Sequence, residues 1–211
     1  MGFAAEIIHF SVKISKKCSV NQNPRMNVFE EYAERYDMWY EKNEEIFKRE
    51  LSIIPPPTHP SIEIGVGTGR FASILGIDVG VDISNSMLRI AKNRGIECIR
   101  SDAEYLPFKD HVFKSAYLIF TLCFLENLIK SLCEVKRVLK NDGFLILCII
   151  PKDSGLGREY SSKNSPFYRI AKFYTEKEVK EMLSQSKFEV MEIYKIKLRY
   201  SGNDFICFKC K

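Results

Sequence analysis

No run of apolar residues in this chain approaches 18, the length a membrane-spanning helix requires. Histidine is scarce. His9, His59 and His111 are scattered through 211 residues, so no metal site built on clustered imidazoles is expected and no metal is assigned. There are no internal repeats and no low-complexity segments. Charge excess is small as well. The net charge is +5, and residues 1–26 hold Lys13, Lys16, Lys17 and Arg25 against Glu6. The body is therefore close to neutral, and a nucleic-acid partner is not expected. The start, Met1 to His9, lacks both a basic region and a small-residue cleavage site, which argues against a signal peptide. Seven cysteines, at 18, 98, 123, 133, 148, 207 and 210, are an odd number set mostly in apolar segments. That pattern predicts reduced, buried thiols and a cytoplasmic protein. Cys207 and Cys210 form a lone C-x-x-C, but strand residues three apart point to opposite faces, so they are not read as a zinc pair.

What is present suffices for one domain with a full core, with 45% hydrophobic residues. Residues 1–26 read as a peripheral or disordered leader, with Met26 as a second candidate start. Residues 27–54 form a helical cap whose Phe29, Tyr32, Ala33, Tyr36, Trp39 and Tyr40 recur at three- and four-residue steps. Pro55-Pro56-Pro57 and Pro60 break it. Strands are predicted at 61–65, 78–82, 96–100, 112–120 and 144–150. Helices are predicted at 69–75, from Ser84 to Arg94, and from Asn127 to about Leu139, with Asn141-Asp142-Gly143 ending the last. Alternation of near-continuous apolar strands with helices implies an α/β protein with a doubly wound parallel sheet. Residues 151–174 are a long polar insertion able to cover a site. Thr175-x-x-Glu178 is a capping box for a helix to about Ser186, and 188–199 with 204–210 read as a hairpin.

One stretch carries most of the functional information: Ile62-Glu63-Ile64-Gly65-Val66-Gly67-Thr68-Gly69-Arg70. An apolar strand runs into three alternate glycines, which let the backbone turn and approach a ligand closely. The strand–turn–helix setting aims free N–H groups at the turn. Asp82 ends the next short apolar run, a place suited to ribose hydroxyls. A nucleoside-containing cofactor follows. A dinucleotide does not fit. The sixth motif position is Arg70 rather than a small residue, Asp82 falls early, and Glu63 would repel a pyrophosphate. A P-loop is excluded because no Gly-Lys-Ser/Thr follows.

Glu63 to Arg70 resembles motif I of the class I S-adenosylmethionine-dependent methyltransferases. Gly80-Val81-Asp82-Ile83-Ser84, Ser101 to Phe108 and Lys136 to Leu145 resemble the motifs that follow it, in order and at ordinary spacing. The small-molecule, "methyltransferase type 11"-like branch is the nearest match, over about residues 27–211. The resemblance implies a Rossmann-like, seven-stranded sheet, mostly parallel with an antiparallel C-terminal strand, and S-adenosylmethionine as cofactor. It places Glu63 near the methionine ammonium and the Gly65 and Gly67 backbone along the cofactor. Asp82 falls on the ribose, Asp102 and the Ala103 N–H on the adenine edge, and Ile83 and Met87 on the adenine face. Two departures stand out. Phe113-Lys114 replaces the usual Phe-Asp, and Thr121 to Glu126 contains no histidine, unlike quinone-pathway relatives.

These readings predict an enzyme transferring a methyl group by in-line displacement to a small-molecule acceptor. The alternatives are a non-catalytic cofactor-binding domain and a macromolecule methyltransferase. Against the latter, no N-P-P-[YF] tetrapeptide follows strand four. Tyr32, Tyr36 and Trp39 are candidate lid residues, and Arg158, Tyr160, Tyr168, Arg169 and Tyr174 are candidate acceptor contacts. No catalytic base is named, and His111 is read as a turn residue.

Overall fold

The computed structural model describes residues 24–200 and 202–211, with side chains from residue 27 onward. Most of the predicted leader, residues 1–23, lies outside this range. Residues 24–26 open the first helix.

The cap divides into α1 (Pro24–Glu31), α2 (Ala33–Lys42) and α3 (Glu44–Leu51). The alternating segment follows: β1 (Ser61–Ile64), α4 (Arg70–Leu75), β2 (Val79–Asp82), α5 (Asn85–Asn93), β3 (Glu97–Arg100), β4 (Phe113–Ile119), α6 (Leu128–Val138) and β5 (Leu139–Ile149). The chain ends with α7 (Gly155–Ser162), α8 (Pro166–Ile170), α9 (Glu176–Gln185), β6 (Val190–Ile196) and β7 (Phe205–Cys210). The seven strands form one sheet in the order β3-β2-β1-β4-β5-β7-β6. β1 to β5 pair in parallel, while β7 runs antiparallel to both β5 and β6.

Strand alternation sorts the core onto two faces. On one, Leu145 and Leu147 of β5 and Ile206 and Phe208 of β7 meet Leu132 and Val135 of α6 and Val179 and Leu183 of α9. On the other, Ile146, Cys148, Phe205 and Cys207 meet residues of the cap, α4 and α7, among them Phe47, Phe71 and Leu156. Each fully buried leucine or phenylalanine here contributes about 1.5–3 kcal/mol.

Cys207 and Cys210 lie on opposite faces, as their spacing predicts. The expectation that every thiol is reduced is corrected. Cys148 and Cys207 sit directly opposite each other on β5 and β7, with Cα atoms 4.1 Å apart, and are joined as a disulfide. Antiparallel partners are brought face to face by register, which spacing along the chain cannot show.

The end of α6 is a second correction. The helix stops at Val138, and Leu139 already pairs with Phe113 as strand. Asn141-Asp142-Gly143 falls within a bulge, where the register moves from Phe113↔Leu139 to Ser115↔Phe144. The hydrogen bonds His111 N–H to Arg137 O and Val112 N–H to Val138 O pull the chain into the sheet before the glycine is reached. The insertion is also more regular than its composition suggests, since α7 and α8 occupy much of it. Ser154 caps α7 by accepting from Gly157 N–H at 2.9 Å. Asp204, fully buried, organises the β6–β7 loop by accepting N–H bonds from Leu156, Leu198, Arg199 and Tyr200.

No helix among the described residues is long and apolar enough to cross a membrane.

Candidate functional site

The parallel strands end on one side of the sheet, and the turns after β1, β2 and β4 meet there, together with the loop after β3. Gly65 begins the first turn at φ +72°. A Cβ there would come within 2.4 Å of the Thr121 side chain, so only glycine fits between β1 and the end of β4. Thr121 Oγ1 donates to Ile64 O at 3.0 Å and fixes that approach. A Cβ on Gly67, at φ +54°, would lie 3.9 Å from the Tyr36 ring. The Gly67 N–H donates to Asp82 Oδ2 at 2.9 Å, and Ser84 N–H donates to Asp82 Oδ1 at 2.9 Å. Asp82 thereby ties the glycine turn to the second turn and retains acceptor lone pairs on both oxygens. Burial pushes its carboxyl up, against these backbone hydrogen bonds.

Gly65, Asp82, Ile83, Asp102 and Ala103 line one cavity at these strand ends. Asp102 Oδ1 accepts from Glu104 N–H at 2.9 Å and shapes its own loop. Arg137 of α6 holds the rest of that loop, donating to Leu106 O and Phe108 O, while Glu134 accepts the Leu106 N–H. Gly67, Glu63 and Met87 do not line this cavity. Met87 is buried, with its N–H bonded to the Ser84 side chain. Strand alternation sends Glu63 to the face opposite Ile62 and Ile64, where it is 2% exposed and Oε2 finds no hydrogen-bond partner among the described residues. Burial raises its carboxyl well above the carboxylate range, partly offset by the Ala72 N–H.

The cap is clamped onto the glycine turn by charge. Asp37 of α2 receives Arg70 Nε and Nη2 at 2.8 Å each and Arg94 Nη2 at 2.7 Å. Arg94 Nη1 also donates to Thr68 O. The residue that excludes a dinucleotide motif thus anchors the cap. Burial works to raise the Asp37 carboxyl, but the hydrogen bonds from Arg70 and Arg94 outweigh it and hold it low.

A second cavity, of about 330 Å³, adjoins the first. Tyr36, Phe120 and Phe124 line both. Of the expected lid, Tyr36 reaches both cavities and Trp39 the second, whereas Tyr32 lines neither and packs on Phe167, 6.2 Å between ring centres. Of the insertion's candidates, Tyr160, Tyr168 and Tyr174 line the second cavity; Arg158 and Arg169 do not.

A family model for a methyltransferase domain matches residues 62–147. An uncharacterised protein of Methanocaldococcus jannaschii is 47% identical over 168 residues, 78% of this chain and 82% of its own. A second uncharacterised protein, from Mycobacterium tuberculosis, is 33% identical over 168 residues, and the match spans 75% of this chain but only 59% of that longer protein. Among solved structures, one from Thermotoga maritima is 32% identical with a TM-score of 0.79, covering 87% of this chain and 98% of its own. It is described as a SAM-dependent methyltransferase and possible histamine N-methyltransferase. This chain belongs to the S-adenosylmethionine-dependent methyltransferase family. S-adenosylmethionine is the cofactor that membership implies, and the first cavity fits it. Carboxylates at the ends of β2 and β3 suit hydroxyl and amino donors, and nothing in the turn is built for phosphate.

Several residues that line these cavities escape sequence reading. Phe29, Thr121, Phe124 and Ser131 line the first cavity without belonging to a motif. Glu50 is the larger omission. It lines the second cavity at 2% exposure, and its Oε2 has no hydrogen-bond partner among the described residues. Burial raises its carboxyl to about 8. Its one signal is the three-residue step from Phe47, which puts it on the inward face of α3. Among the described residues no cluster of His, Cys, Asp and Glu is arranged to hold a metal.

Proposed function

We propose that this methyltransferase acts on a small molecule that enters the second cavity, with the cofactor in the first. The observation that supports this most directly is the shared wall. Tyr36, Phe120 and Phe124 belong to both cavities, so an acceptor in one lies next to a donor in the other. The second cavity is roofed by the cap and by α7 and α8 and walled by aromatic rings, a setting for a compact ligand rather than a polymer.

In this reading Asp82 accepts the ribose hydroxyls, Asp102 the adenine amino group, and the Ala103 N–H donates to an adenine nitrogen. Ile83 lies on the adenine face, and Met87 is buried away from the cavity. The Gly65 and Gly67 backbone runs along the cofactor. Glu63 acts from behind the turn, where an incoming ammonium favours its ionised form. The cofactor supplies an activated methyl group. The protein's own work is alignment and exclusion of water, to which orientation contributes about 7–11 kcal/mol.

The experiment is a transfer assay with methyl-labelled S-adenosylmethionine and a cell extract split into small-molecule and macromolecular fractions. Label is expected in the small-molecule fraction. Label confined to protein or nucleic acid would reject this reading, and cofactor binding with no label in either fraction would favour a non-catalytic domain.

A further inference from the structure

We infer that Glu50 receives the methyl acceptor, and that this acceptor is an amine carried in as its ammonium ion. The inference rests on the reading of the second cavity as the acceptor site. A carboxyl group 2% exposed with an unpartnered oxygen is costly to keep unless something comes to meet it. The rings of Tyr36, Trp39, Tyr40, Phe120, Tyr160 and Tyr168 line the same cavity. Tyr160 and Tyr168 stack at 4.6 Å, and the Tyr36 and Tyr40 hydroxyls lie 3.2 Å apart. Aromatic faces plus one buried carboxylate are the chemistry of cation recognition. An anionic ligand would be repelled by an ionised Glu50, whereas an ammonium supplies the opposite charge that favours ionisation of a buried acid.

The charged and titratable groups facing this space fit the assignment. Arg35 and Lys163, the two cations of the lining, are exposed, and Lys163 is paired with Glu159. The tyrosines Tyr36, Tyr40 and Tyr160 are raised chiefly by burial and stay neutral, as does Tyr168, raised to about 12. Tyr174 and Cys123 complete the titratable lining. Glu50 is thus the buried acid of the cavity and is positioned as the catalytic residue. Glu50 gives up its own proton to solvent as the ammonium docks beside it, and the resulting carboxylate then takes one proton from the ammonium, which frees the nitrogen lone pair. That pair forms the N–CH₃ bond as the CH₃–S bond breaks, and the sulfur keeps the bonding pair as a neutral thioether. The methylated nitrogen then carries the positive charge, and Glu50 returns its proton to solvent.

The test is calorimetry on wild type, Glu50→Gln and Glu50→Met, each saturated with S-adenosylhomocysteine. The probes are 2-phenylethylamine, tryptamine and cyclohexylmethylamine, each against its alcohol counterpart. In wild type the amines should bind about tenfold or more tighter than the alcohols, an advantage lost in both variants while S-adenosylhomocysteine affinity is kept. With labelled S-adenosylmethionine, amine kcat/KM should fall by about 10²-fold or more in Glu50→Gln. Its rise with pH through about 8 should vanish as well. No binding by any amine, equal binding of alcohols, or an amine preference that survives in the variants would overturn the inference. Methylation of an acceptor without basic nitrogen would also overturn it, yet leave the small-molecule reading standing. Failure of wild type to bind S-adenosylhomocysteine would instead strike at the reading of the first cavity.

Discussion

At the scale of single residues, the site depends on acids that burial perturbs. Glu50 gives the clearest consequence for stability. Its folded-state carboxyl is raised from an ordinary 4.5 to about 8, so the folded protein holds a proton that the unfolded chain releases. Stability is therefore full below about 4.5 and declines as pH rises toward 8. Glu50→Gln should flatten this decline, leaving a variant with a higher Tm than wild type at pH 8 and little difference at pH 4.5, as read by calorimetric melting. A wild-type Tm that does not fall across this window would contradict the burial of an unpaired acid. Asp82→Ala should weaken S-adenosylmethionine binding by about 1–3 kcal/mol, measured as heat of titration. Gly65→Ala combines a left-handed φ with a collision against Thr121, so a stability loss of about 2–3 kcal/mol is expected in denaturant melts. That Gly65, Asp82 and Asp102 gather at one cavity is legible in the sequence because turns at adjacent strand ends constrain residue type at fixed spacing. Glu50 is not. Inside Glu44-Glu45-Ile46-Phe47-Lys48-Arg49-Glu50-Leu51 a carboxylate looks like one more solvated charge, and only the packing of α3 shows that it faces inward.

At the scale of elements, the cap and the glycine turn behave as one unit through Asp37, Arg70 and Arg94. The Asp37 side chain is only 13% exposed, so removing it takes the shared carboxylate from two guanidinium groups and leaves Arg70 with Glu41 and Arg94 with Thr68 O. Asp37→Ala should cost about 2–3 kcal/mol in denaturant unfolding and weaken cofactor binding, although Asp37 lines neither cavity. An unchanged cofactor affinity would mean that the cap does not hold the turn in place. The pH dependence has the opposite sign to that of Glu50. The folded-state carboxyl of Asp37 is depressed below 3.8, so its contribution is present above that value and lost as pH falls further. Helices and strands between residues 61 and 138 follow from apolar periodicity because each strand is a short run bounded by turn chemistry. The start of β5 does not, because an Asn-Asp-Gly that ordinarily stops a helix here serves a bulge. α7 and α8 were hidden by polar composition, and their order comes from the Ser154 cap and from packing over the strand ends rather than from local propensity.

At the scale of the whole molecule, the sheet order places β1 and β4 side by side at its centre, with both cavities at their carboxyl ends. The aromatic residues Phe29, Tyr36, Phe124 and Phe167 join three otherwise separate segments above those ends. Phe29 meets Phe124 at 4.8 Å and Phe167 at 5.6 Å, and Phe167 meets Tyr36 at 5.5 Å. Phe167→Ala removes two of these contacts, each worth about 0.5–1.5 kcal/mol. S-adenosylhomocysteine should then dissociate about tenfold faster in stopped-flow displacement. An unchanged off-rate would show that this cluster does not gate the cofactor cavity. The wall common to both cavities also has a consequence for timing. If cofactor and acceptor occupy these cavities as proposed, Tyr36, Phe120 and Phe124 touch both, and release of spent cofactor and of methylated product is expected to be linked. The expected outcome is a turnover paced by opening of this aromatic wall, so that a heavy-isotope label on the transferred methyl barely slows the steady state.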